Sequence, residues 1–333
     1  MRHDLLDLCL PLLLYADEMV QRQATLILMT TFGTHAFTLL RRRLGASDPD
    51  ACREATEALR VLERHSGHPA AYRPFRGIHI ECLGTFHVYV GNQEILPHHW
   101  AQANGSRAGS RKVQAVLAYL VHRGRHGATS EEILAAVWDS TGSAGALART
   151  ITALRRTIEQ FGGSELAERA LVYADGRYIL KPTAYTSDVQ AFEQAIHVAE
   201  QTESERDLAT AAPIYRHACA LYNGNYMAMI KMAADDIEER RVELLNAFLN
   251  AIERQAEHEY QNGNDDRCLA LCRQGLRFDP SDSAITLWKL RCLARQRRIN
   301  EVKREYWRYL RSLGVPPDAE DPVVLWMNAH SSR

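Results

Sequence analysis

Arg149, Thr152, Ala153 and Arg156 are spaced three, one and three residues apart. An α-helix places them along one side, because residues three and four apart share a face. Leu147, Ile151, Leu154 and Ile158, spaced four, three and four, form the apolar line that would turn that side outward. Two guanidiniums and a hydroxyl offer recognition rather than catalysis. Guanidinium forks match paired acceptors on base edges or phosphates, and an alanine methyl matches that of thymine. Without further context, the same row also describes a solvated basic face. Arg155, beside Leu154, has two readings: a phosphate contact, or an i to i+4 pair with Glu159. Arg111 and Lys112 open an earlier helix, where free N–H groups and basic side chains both suit phosphate. Arg177 follows Asp175-Gly176, a hairpin tip able to reach backbone or minor groove.

Other reactive residue types lack the company that chemistry needs. Cys268 and Cys272 stand one helical turn apart with no second ligand pair nearby, so they read as core positions rather than a zinc site. His98-His99, between Pro97 and Trp100, reads as loop. Asp235, Asp236, Glu238 and Glu239 precede Arg240-Arg241 as a charged helix face, and Arg41-Arg42-Arg43 as a helix end that favours cations. No Gly-x-Ser-x-Gly, His-Glu-x-x-His, dinucleotide or phosphate-loop pattern is present. The reading is therefore not an enzyme, with no catalytic residue, metal or cofactor.

The elements that must position the basic row can be read around it. IHIECLG and TFHVYVG alternate as strands with turns at Gly84 and Gly91-Asn92, and a short third strand lies near Glu94-Ile95-Leu96. Three helices follow. The first covers 110–124 with Val113, Val116, Leu117 and Leu120 inward; the second opens at Ser130 as N-cap; the third spans 143–161. ALVYADG and RYILKP close the zone as a hairpin around Asp175-Gly176.

Both flanks are helical. Asp17, Ala24 and Leu28 reappear as Asp48, Ala55 and Leu59 at an offset of 31 residues, and residues 1–66 resemble HEAT repeats. SGHPAAYRPFRG breaks that pattern as a linker. Residues 247–280 have the punctuation of a tetratricopeptide unit, with Gly263 at the turn, Ala270 at the tight contact and Asp279-Pro280 at the end. The next 34 residues repeat the pattern, but Arg297 stands where Gly263 did.

AVLAYLVHRG, EEILAAVW, LARTITALRRTIEQ and DGRYIL, in that order after a strand-rich start, resemble the OmpR-type winged-helix domain over 78–182. SDVQAFEQAI, LYNGNYM, EERRVELLNAFLNAIERQAE, RFDPSDSAITLWKLRCLARQ and YWRYLRSLGVPP resemble the bacterial transcriptional activator domain. Winged helix followed by activator domain is the order found in SARP-type transcriptional regulators. The resemblance implies base contacts from Arg149, Thr152, Ala153 and Arg156, and phosphate or wing contacts from Arg111, Lys112, Arg155 and Arg177. It also implies duplex DNA with promoter direct repeats as partner, assembly of several copies on it, and contact with RNA polymerase or its sigma factor. A glycine that relatives carry before the last helix is replaced by Arg297 or Arg298.

The expected fold is mainly α with a small α+β domain: HEAT-like repeats over 1–66, a linker over 67–77, the winged helix over 78–182 and a TPR-like all-helical domain over 183–328. The chain has 333 residues, formal net charge −1 and seven scattered cysteines. No apolar run would span a membrane. MRHDLLDLCLPLLLYADE, with Asp4 and Asp7, reads as a helix rather than a leader. With the unpaired cysteines it points to the cytoplasm. The near-zero charge hides a division: residues 76–182 carry 12 basic and 9 acidic side chains, residues 183–333 carry 19 and 23. The competing function is an interaction scaffold whose winged helix holds protein rather than DNA.

Overall fold

The computed structural model describes residues 2–32, 35–44, 48–66, 77–91, 93–100, 109–138, 141–318 and 320–331. Apart from Gly77, the expected linker at 67–77 lies outside them, as does Asn92 of the expected turn. The chain is mainly α-helical with a small α+β region. It divides into two compact units: Met1–Gln190 with Asn223–Arg241, and Ala191–Tyr222 with Val242–Arg333.

The first unit opens with α1 (Arg2–Leu13), α2 (Glu18–Phe32), α3 (His35–Leu44) and α4 (Pro49–Ser66) around one apolar core. The 31-residue offset holds at the level of bonds. The Asp17 carboxylate accepts the Met19 N–H at 2.7 Å and that of Asp48 accepts Asp50 N–H at 3.0 Å, each at a helix start. Ala24 and Ala55 are buried, as are Leu28 and Leu59. Arg41 of α3 reaches Glu81 at 3.3 Å.

Beyond this cluster come β1 (Ile78–Glu81), β2 (His87–Val90), β3 (Gln93–Glu94), α5 (Gly109–Arg123), β4 (Ala128–Thr129), α6 (Ser130–Trp138), α7 (Ala144–Ala170), β5 (Leu171–Ala174), β6 (Arg177–Leu180) and β7 (Tyr185–Ser187). They make two sheets, ordered β3-β2-β1-β7 and β4-β6-β5. In the first sheet β7 runs parallel to β1, with Ile78 opposite Tyr185. This strand lies beyond the expected end of the zone at 182. A three-residue strand has no alternation to reveal it, and only the distant partner defines it. The Asp188 carboxylate ties the strand's exit down by accepting the backbone N–H groups of Cys82, Leu83 and Val189 at 2.7–2.9 Å. Residues 223–227 also join this unit. Met227 N–H donates to the Cys82 carbonyl at 2.7 Å. Gly84 and Gly224 meet so closely that a Cβ on Gly224 would lie 2.8 Å from the Gly84 Cα.

The second unit takes residues from α8 (Asp188–Glu205), α9 (Leu208–Leu221) and α10 (Asp235–Gln261), then α11 (Asp265–Gly275), α12 (Ser283–Arg295), α13 (Ile299–Leu313) and α14 (Pro322–Ser331). Tyr222 stacks on Phe248 at 4.3 Å, and Phe278 packs edge-on against both. The 34-residue repeat is real at its turns. Gly263 N–H bonds to Tyr260 O and Asn264 N–H to Glu259 O; Arg297 N–H bonds to Ala294 O and Arg298 N–H to Leu293 O. Both turns close as Schellman motifs, with φ 76° at Gly263 and 57° at Arg297. Ala270, expected at the tight contact, is exposed. That contact falls on Gly275 instead, whose Cβ would meet Ile285 at 2.6 Å, because α11 buries Cys268, Leu269, Cys272 and Gly275.

Candidate nucleic-acid interface

Helices α5, α6 and α7 share a core. Val113, Val116, Leu117 and Leu120 of α5, Ile133 of α6, and Leu147, Ile151, Leu154 and Ile158 of α7 are all buried. Trp138 fills the turn between α6 and α7. Gly142 is obligatory there, since a Cβ would fall 2.7 Å from the Trp138 ring. Ser143 caps α7 by accepting Ala146 N–H at 3.2 Å. The helix breaks at Gly163, where φ is 82°. Its first segment therefore agrees with the expected helix over 143–161.

The α6 cap differs from expectation. Thr129 Oγ1, not Ser130, accepts the Glu132 N–H at 3.2 Å, and the Glu132 carboxylate accepts Thr129 N–H at 2.7 Å. This is a capping box in a Thr-x-x-Glu stretch. That N–H, followed by Arg123 and Arg177, holds the Glu132 carboxyl below its ordinary value. The wing is a hairpin: Ala174 pairs with Arg177, and both turn residues have positive φ, 51° at Asp175 and 76° at Gly176. That is a type I′ turn, which Asp-Gly favours.

Each residue of the basic row now has a place. Arg149, Thr152 and Arg156 are exposed on α7. Among the described residues, no carboxylate pairs with either arginine. The Thr152 hydroxyl donates to the Ala148 carbonyl at 2.9 Å, leaving its oxygen able to accept. Ala153 is a correction: it is only 4 % exposed. On the helical wheel it falls toward Thr150 and Thr157, which are also buried, so its methyl packs inward. Arg155 is exposed but donates to the Leu171 carbonyl at 3.3 Å rather than pairing with Glu159.

The phosphate candidates also part company. Arg111 is exposed at the start of α5. Lys112 donates to the Val137 carbonyl and lies 5.3 Å from the Trp138 ring centre, where it neutralises the C-terminal end of α6. Arg177 is drawn back from the hairpin tip to Glu132 at 3.0 Å. Tyr173, not among the expected site residues, stands 58 % exposed on the wing with Tyr178 at 4.8 Å. No alternation in LVYA marks it, since Leu171, two residues earlier on the same strand face, is buried. At the end of α5, Asp236 meets His122 at 3.2 Å and Arg123 at 3.3 Å.

Residues 187–320 match the family model described as the bacterial transcriptional activator domain. No curated protein sequence matches the chain. Among solved structures, Mycobacterium tuberculosis EmbR in complex with a low-affinity phosphopeptide is similar, with a TM-score of 0.59 and 17 % identity over 76 % of this chain. The match covers 64 % of that protein's chain. At this identity the likeness speaks for fold alone. The domain match and the fold likeness together support the resemblance to SARP-type transcriptional regulators. No helix among the described residues is long and apolar enough to cross a membrane.

Proposed function

We propose that this chain, with its bacterial transcriptional activator domain at 187–320, regulates transcription by reading duplex DNA with the first segment of α7. One observation carries the reading: Arg149 and Arg156 lie two turns apart on an exposed face with no carboxylate partner among the described residues. With Thr152 between them they form a polar row about 10 Å long, a shape the major groove admits. Arg111 supplies a phosphate contact at the start of α5, and Arg155, exposed and bonded to the Leu171 carbonyl of β5, supplies another. The excess of basic residues over 103–160 is small, 8 against 4. Affinity then comes from several protomers on direct repeats, with the activator domain pairing protomers or meeting RNA polymerase or its sigma factor.

Fluorescence anisotropy of the full chain on duplex DNA at several salt concentrations tests this. Binding should weaken linearly in log–log form as salt rises, because phosphate contacts release counterions. Absence of binding at low salt would return the winged helix to protein recognition, the scaffold alternative. Footprints on selected genomic fragments then give the repeat spacing.

A further inference from the structure

The second unit holds an open cleft of about 430 Å³ built by the end of α10, α12 and α14. Trp288, Trp326 and Tyr260 line it together with Arg291, Arg295 and His330, and none of its lining residues is acidic. The rings and cations are already paired with one another. The Arg291 guanidinium lies 4.6 Å from the Trp288 ring centre, and that of Arg295 lies 3.8 Å from Tyr260. Trp326 and His330 stack at 4.2 Å and 19°, and His330 Nδ1 is 2.9 Å from the Trp326 carbonyl.

The two arginines differ in what remains to them. Arg295 is committed to Asp265 and to the Tyr260 carbonyl. Arg291 has no carboxylate partner among the described residues, so its charge in this cleft is not neutralised. A guanidinium resting on an indole keeps its N–H edge available to an oxyanion while the ring fixes its position. Partly buried indoles and a phenol offer stacking area to a planar ligand. The volume is that of a small-molecule site. Helix α14, which brings Trp326 and His330, starts at Pro322, beyond the stretch matched to the activator domain. The cleft is thus completed by residues the domain match does not include.

We propose that this cleft binds a small planar aromatic anion, with its ring among Trp288, Trp326 and Tyr260 and its carboxylate or phosphate on Arg291. The site does not rest on the DNA-reading proposal. Isothermal titration calorimetry of the full chain with adenosine 5′-monophosphate and with 2-naphthoate distinguishes a nucleoside phosphate from an aryl carboxylate. Adenosine and inorganic phosphate serve as ring-only and anion-only controls.

Saturable binding of at least one ring-bearing anion is expected, with both controls weaker by about tenfold or more, equivalent to about 1.4 kcal/mol. Arg291→Gln, a partly exposed position, should weaken that binding by a similar factor with the circular dichroism spectrum unchanged. Trp326→Phe, which keeps a ring in place, should weaken it less than Trp326→Leu. Failure of both anions to saturate, controls that bind equally well, or affinity unchanged in Arg291→Gln would each overturn the site.

Discussion

Arg156 and Lys112 carry the same charge, but folding leaves them with different tasks. Lys112 is engaged by a helix-end carbonyl and an indole, whereas Arg156 stands open on α7. Arg156→Ala should weaken binding to the specific site by about 1–3 kcal/mol, as loss of a base-reading arginine does. Protection in a footprint should fall with it. Lys112→Met should leave the salt dependence of DNA binding unchanged and instead cost about 1 kcal/mol of stability, since the Val137 carbonyl loses its donor. Denaturant midpoints and anisotropy on the same two variants separate these outcomes. Ala153, with its methyl buried, is a packing residue: a larger side chain there should lower stability before it changes sequence preference.

At the scale of elements, the repeat turns of the second unit give a controlled comparison. Gly263 and Arg297 sit at the same place in successive units, with the same closing hydrogen bonds and positive φ. Glycine adopts that conformation freely, while a residue with a Cβ is strained by about 1–2 kcal/mol. Part of that cost is offset because glycine loses more freedom on folding. Arg297→Gly should therefore raise stability by about 0.5–1 kcal/mol. Gly263→Ala should lower it, although nothing lies within 4 Å of the added Cβ, because the penalty is in the backbone. Urea melts of the two variants test both signs. Of Arg297 and Arg298, it is Arg297 that adopts the left-handed conformation glycine favours.

For the molecule as a whole, the first unit buries ionisable groups that make its stability depend on pH. Burial pushes the His79 imidazole down to about 4, and Arg41 adds to this. Its ring is 3.0 Å from the Thr186 hydroxyl. The folded ring is therefore neutral while the unfolded ring takes a proton below its ordinary value of 6.5. Its contribution is present above that value and is lost as pH falls toward 4. Between pH 7.5 and 5.5 the loss is about 1 kcal/mol. Asp188 slopes the other way, since burial lifts its carboxyl to about 7 against the pull of three N–H donors. The informative quantity is thus the stability of His79→Gln minus that of the natural chain. The variant should gain about 1 kcal/mol relative to it on acidification across that range; a pH-independent difference would contradict the assignment.

Periodicity and punctuation in the sequence determine most of the elements, because they express local backbone chemistry and one-sided burial. The line Leu147-Ile151-Leu154-Ile158 is buried as its spacing requires, Asp175-Gly176 makes the tight turn, and the offsets of 31 and 34 recur as equivalent bonds. The site was only half legible. Spacing placed Arg149, Thr152 and Arg156 on an open face. It could not show that Ala153 turns inward, that Lys112 caps α6, or that Arg177 is held by Glu132. The last two outcomes depend on neighbours 25 and 45 residues away. The parallel strand 185–187, the Gly84–Gly224 approach and the Trp288–Trp326 cleft arise in the same way, from segments far apart in the chain. A side chain's local preference is written in its own stretch of sequence, but which charges stay free after folding is decided by partners that only tertiary packing brings within hydrogen-bonding reach.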